Sequence, residues 1–95
     1  MVQLIYALSA KREMQEAAAW YETQQEGLGR EFLARLEQAS GTILQNPNRW
    51  RRITGTYRRC LLKQFPYGII YRVEGDTVFV AAVMHLHRKP GYWQS

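Results

Sequence analysis

Hydrophobic residues recur along this chain with two different periods, and the switches between them outline its architecture. Residues 2–8 place Val2, Leu4 and Tyr6 on one parity, the two-residue repeat of a strand. Residues 10–26 are rich in Ala, Glu, Gln and Lys, and Met14, Ala17, Ala18 and Tyr21 fall on one helical stripe with Trp20 beside it. Ser9 stands where an N-cap is expected, because its hydroxyl can accept from a free amide of the first turn. Gly27-Leu28-Gly29 breaks the pattern, and a second helix follows over residues 28–45 with Leu28, Phe32, Leu36, Ala39 and Ile43 on one face and Leu33 and Leu44 widening it. Gly41 costs its last turn about 1 kcal/mol against alanine. Asn46-Pro47 ends it, since the residue before proline disfavours helical backbone. So short a break predicts an antiparallel helical hairpin.

Beyond a basic loop at residues 48–56, strand-like runs arrive at 57–63, 67–73 and 77–86. Gln64-Phe65-Pro66 and Glu74-Gly75-Asp76 separate them and are short enough for hairpins or tight turns. The expected order is β-α-α-β-β-β, an α+β fold in which the helical hairpin packs on one face of a small twisted antiparallel sheet. No segment is left over to cover the opposite face. Basic side chains are therefore expected to share that face or its rim, in a cleft near the end of the chain.

Composition adds a bound and a direction. Ninety-five residues that are 46% hydrophobic and 13% aromatic suit one globular domain over 1–95, with no room for a second core. The net charge of +5 is unevenly spread: residues 1–47 hold four basic and six acidic side chains, residues 48–95 nine and two. A basic half is the footprint of a polyanionic partner, either nucleic acid or an acidic peptide. No apolar run approaches the roughly 18 residues of a membrane span, and the first residues carry no basic leader, so a cytoplasmic protein with no membrane partner is expected. The lone Cys60 reads as a small buried apolar residue, with a catalytic thiol between arginines as the alternative. His85 and His87 lie two apart without carboxylate or cysteine companions, so no metal is expected, and no glycine-rich phosphate loop or other cofactor motif is present.

The run from Phe65 to Val73, Phe-Pro-Tyr-Gly-Ile-Ile-Tyr-Arg-Val, closely resembles the phenylalanine-proline-tyrosine strand of ParE-like toxins. His85-Leu86-His87-Arg88-Lys89-Pro90-Gly91-Tyr92-Trp93 resembles their closing histidine, arginine, proline and tryptophan pattern, and Arg58-Arg59 with Leu61-Leu62 fits the preceding strand. The chain thus resembles the RelE/ParE toxin superfamily of type II toxin–antitoxin (plasmid stabilisation) modules. That resemblance implies a cognate antitoxin that wraps and silences the toxin. It also implies growth inhibition, either by poisoning DNA gyrase (the ParE branch) or by cutting translated mRNA on the ribosome (the RelE branch).

The second route needs a proton donor, an acceptor and cations on the phosphate. The resemblance offers Arg59 and Arg72 for phosphate, Arg88 for transition-state charge, and His85, His87 or Tyr92 for proton transfer. Strand parity groups His85 and His87 with Phe79, Ala81 and Val83 but Arg88 with Val80, Ala82 and Met84, so a histidine and Arg88 converge only if the strand ends or bends near Leu86. Arg58 and Arg59 point to opposite faces. Arg49, Arg51 and Arg52 beside Trp50 can grip nucleic acid or another target by charge and stacking, or form a solvated loop whose tryptophan packs on the core. Tyr92-Trp93 is expected to anchor the tail. Lys63, a further candidate contact, and Lys89 are the only lysines of the sheet half, and this sparseness, with the long hairpin and the two motifs, sides with the ParE branch. Three readings stay open: a gyrase-binding toxin, a ribosome-dependent mRNA endoribonuclease, and a binding module that has lost toxicity.

Overall fold

The computed structural model describes residues 2–89 and 91–94. Its elements are β1 (Gln3–Tyr6), α1 (Leu8–Gln24), α2 (Leu28–Gln45), β2 (Arg52–Thr54), β3 (Tyr57–Leu61), β4 (Tyr67–Glu74), β5 (Thr77–His85) and a 3₁₀ turn (Tyr92–Gln94). Pro90 of the closing motif lies outside the described residues. Among the described residues, no helix is long and apolar enough to cross a membrane.

The first helix begins differently from what its sequence suggests, and the second begins at Leu28 as expected. The Ala7 amide donates to the Val80 carbonyl at 2.9 Å, which holds Ala7 extended, and α1 starts at the next residue. Ser9 is therefore inside the first turn and is not the N-cap; Ala7 holds that position with no side-chain bond. Helix α2 follows Gly27, whose φ of 85° is the left-handed turn that glycine tolerates. The Glu22 carboxylate, from α1, accepts from the Gly27 and Gly29 amides at 2.9 and 3.0 Å and so caps α2 across the hairpin. Those two bonds hold its carboxyl below the usual range. A Cβ on Gly29 would sit 2.4 Å from the Ala18 carbonyl, so this glycine sets how closely the helices approach. Gly41, with open space around it, does not shorten α2.

The core lies between hairpin and sheet. Phe32, Leu36, Ala39 and Ile43 of α2, the expected stripe, are buried with Ala10, Ala17 and Ala18 of α1 against Cys60, Ile69, Tyr71, Val78, Val80 and Val83. Tyr71 is wholly buried, and its hydroxyl donates to the Pro47 carbonyl at 2.6 Å, tying the sheet to the end of α2. Burial pushes its phenol up to about 12. The phenylalanine-proline-tyrosine motif is part of this packing: Phe65 and Tyr67 both lie against Phe32 and Tyr21, around the tight turn at Gln64 (φ 76°).

The sheet has five strands in the order β1-β5-β4-β3-β2. Strands β3 to β5 are antiparallel, as expected, but β1 joins β5 in parallel at the far edge, so the sheet is mixed rather than wholly antiparallel. Two further features depart from the expectation. Residues 52–54, expected as loop, form the short edge strand β2 against β3. All three residues are exposed, so no buried alternation announces it. The second departure is a bulge in β5: Ile70 pairs with Ala82 and Tyr71 with Val80, leaving Ala81 unpaired. Parity reverses there. Val78 and Val80 face the helices, and so do Val83 and His85, while Phe79 turns to the other face with Ala82 and Met84. The expected grouping of His85 with Phe79 therefore fails.

The second face is not bare. Ile70, Ala82 and Met84 are at most 2% exposed because Tyr57, Tyr92 and Trp93 pack over them. The chain's last turn folds back as the cover that the sequence reading did not find. Two adjacent aromatics give that short turn enough apolar area to hold it against the sheet.

Candidate binding surface

The chemistry-bearing side chains divide into two groups, one at the end of β5 and one along the β2–β3 edge. The first is organised by Glu13. Past Val80 the chain of β1 has turned into α1, so β5 has no strand on that side and the Val83 amide would be unpaired. Glu13 Oε1 accepts from it at 3.0 Å. The other oxygen, Oε2, accepts from Arg88 Nη1 at 3.1 Å and from the Tyr92 hydroxyl. Arg88 also lies over the Tyr92 ring, 3.6 Å from its centroid. Burial, then the bond to Glu13, push the Tyr92 phenol far above its ordinary value, so it stays protonated. His85 is turned elsewhere, edge-on to Tyr67 at 5.1 Å, in a shallow pocket with Trp20, Tyr21 and Pro66. Its Nδ1 accepts from the His87 amide at 3.1 Å, which leaves the proton of the neutral ring on Nε2. His87 is exposed beyond the strand end.

Arg72 belongs to the covered face of the sheet. Its guanidinium lies over Phe79, 4.4 Å from the ring centroid, pairs with Glu74 at 2.5 Å and reaches the Tyr57 hydroxyl at 3.3 Å. Its charge is thus already met by a carboxylate.

The second group surrounds Trp50. Arg58, on the helix side of β3, donates to the Trp50 carbonyl at 2.6 Å and to Asn48 at 3.3 and 3.4 Å. These bonds pin residues 48–50 beside β3, and Trp50, half-buried, packs on the core. Two clefts result, and they share Trp50 and Leu61. One, of about 280 Å³, is lined by Arg35, Ala39, Thr42, Arg49, Cys60 and Lys63; the other adds Arg51, Ile53 and Arg59. Leu61 is 53% exposed and Ile53 37%. Among the described residues the ion pairs are Arg72–Glu74 and Arg88–Glu13, so none of the five cations around these clefts is paired with a carboxylate. Cys60 is buried in the wall of the first cleft, and desolvation pushes its thiol up, which suits a packed side chain rather than a nucleophile.

Of the residues the sequence nominates, these clefts bring together Arg49, Arg51, Arg59, Lys63 and Trp50. Arg52 is exposed on β2 but lines neither cleft. The expected basic cleft near the chain's end does not form, because Arg88 is held on Glu13 and Arg72 on Glu74; the open cations gather at the sheet edge instead. Sequence reasoning missed Glu13 and Arg35. Both sit among helix-surface charges, and only contacts to residues 29 to 79 positions away distinguish them.

A helical hairpin against a five-stranded mixed sheet is a ParE-like α+β fold. The profile of the family described as the ParE toxin of type II toxin-antitoxin system, parDE, matches residues 4–90, and the chain belongs to that family. Among solved structures it is similar to one titled "Chromosomal ParDE TA system from P. aeruginosa", with a TM-score of 0.78 over 92% of this chain and 98% of that one. At 14% identity the likeness is one of fold. No curated protein matches the sequence.

Proposed function

We propose that this chain, as one toxin domain over residues 1–95, arrests growth by binding DNA gyrase rather than by cutting RNA, and that a cognate acidic antitoxin neutralises it. The observation carrying this reading is the capture of Arg88 and Tyr92 by Glu13. Cleavage by a 2′-hydroxyl requires a base, an acid and a cation free to meet the phosphate. Here the arginine already faces a carboxylate, the tyrosine is kept protonated, and His85 is turned to Tyr67. Five cations without carboxylate partners among the described residues lie apart, around a tryptophan and exposed aliphatic side chains, which is the composition of a gripping surface. Family membership supports the toxin role and, through the toxin–antitoxin pairing in the family's description, the antitoxin.

The test is a cleavage assay with purified gyrase, supercoiled DNA and ATP. Saturating toxin is expected to trap broken DNA, and cell-free translation should continue. Absence of trapped breaks overturns the gyrase reading. If Arg88→Ala, and His85→Ala or Tyr92→Phe, abolish toxicity while the fold and antitoxin binding persist, the protein is instead a ribosome-dependent mRNA endoribonuclease. Normal growth on inducing the chain alone would leave only a binding module.

A further inference from the structure

We infer that the paired clefts meeting at Trp50 and Leu61 seat an acidic, apolar-anchored segment of the neutralising protein. The inference rests on the antitoxin reading above and adds to it a location and a chemistry. Three observations converge. First, the charge is open: Arg35, Arg49, Arg51, Arg59 and Lys63 surround the clefts with no carboxylate partner among the described residues. Second, part of the lining is apolar: Ala39, Leu61 and Ile53 stand among those cations, and Leu61 and Ile53 leave much of their surface in water. An occupant with a carboxylate beside an aliphatic or aromatic side chain satisfies both features, since burial of the apolar anchor supplies affinity and the charges supply register.

Third, the surface is preorganised. Arg58 fixes the segment that carries Trp50 through bonds to backbone carbonyls. Arg35 is steadied by the neutral Gln64 and Gln38 at 3.0 and 3.4 Å, which position the guanidinium without cancelling its charge. A rigid site loses less entropy when it binds a flexible chain.

A nucleic acid fits less well. Stacking needs an open aromatic face, whereas Trp50 packs into the core and has the Arg49 guanidinium over its ring at 5.1 Å. An exposed leucine on the cleft wall offers nothing to a phosphate backbone.

The experiment titrates the cognate antitoxin into full-length wild-type toxin and into Arg59→Glu, Leu61→Ser and Arg52→Glu variants by calorimetry, with urea midpoints confirming that each is folded. Arg52→Glu makes the same charge change one strand away, outside both clefts. Arg59→Glu and Leu61→Ser are each expected to weaken binding about tenfold or more, and Arg52→Glu by less than about threefold. Equal loss in all three, or no loss in Arg59→Glu and Leu61→Ser, overturns the assignment. A labelled oligo-uridine whose affinity falls in those two variants while the antitoxin's holds would give the clefts to nucleic acid and overturn it as well. Failure of the wild-type toxin to bind the antitoxin at all would instead remove the neutralisation reading on which this inference stands.

Discussion

Two regions of this small sheet contain the same residue types and put them to opposite use. At the end of β5, Glu13 draws Arg88, Tyr92 and the Val83 amide onto one carboxylate, and the aromatic tail closes over Ile70, Ala82 and Met84. Charge is matched and apolar area is hidden. Along the β2–β3 edge the arginines have no carboxylate, and Leu61 and Ile53 remain in water. Of these two regions, the β2–β3 edge is the one whose cations have no carboxylate partner among the described residues. The lesson is that an arginine count locates a basic half, but the nearest carboxylate decides which arginines are available.

The largest test of this contrast is Glu13→Ala, which removes the acceptor shared by three donors. We expect it to destabilise the protein by about 2–3 kcal/mol, read from urea denaturation; an unchanged midpoint would mean that the β5 end is not a structural lock. Next is alkaline stability. Tyr71 and Tyr92 both have folded-state values raised above the ordinary phenol value of 10, Tyr71 to about 12. A raised phenol means that the folded state keeps its proton longer, so the stabilisation is complete below pH 10 and is lost as pH climbs through the folded values. For the buried Tyr71 the loss is on the order of 2 kcal/mol. Thermal midpoints between pH 9 and 12, alongside tyrosine absorbance, should show the fall, and Tyr71→Phe should flatten it.

Arg58→Ala sharpens the comparison from the other side. It should cost about 1 kcal/mol through lost bonds to the 48–50 carbonyls and also weaken antitoxin binding, although Arg58 lines neither cleft. Full affinity in this variant would show that the clefts need no buttress. The smallest effect belongs to Arg49→Ala, Arg51→Ala and Lys63→Ala, each expected to shift stability by no more than about 0.5 kcal/mol in the same denaturation experiment. A larger shift would move these cations into the structural class and erase the distinction.

How much of this was legible beforehand differs from element to element. The α2 stripe, ending at Asn46-Pro47, was readable because one helical face carries nearly all its large apolar residues. The Phe65-Pro66-Tyr67 motif was readable as a family mark, and its physical content proved to be core packing on Tyr21 and Phe32. Strand β2 was not readable, since its residues are all exposed and no alternation betrays it. The bulge at Ala81 was also hidden: Val78 to Met84 is an unbroken apolar run, and such a run has the same composition in either register. Of the candidate site, Arg49, Arg51, Arg59, Lys63 and Trp50 were nominated from the sequence, whereas Arg35 and the restraint of Arg88 were not.

By itself, then, the sequence determined the helical hairpin and the returning strands through the order of its apolar periods, and the basic half through the spread of its charges, because those depend on residues close to one another in the chain. Tertiary structure alone decided which face the tail covers, which way β5 turns after its bulge, and which arginines meet a carboxylate. Those outcomes depend on pairs such as Glu13 with Tyr92, 79 residues apart. Contacts of that span are set by how the layers stack, and no local pattern encodes them.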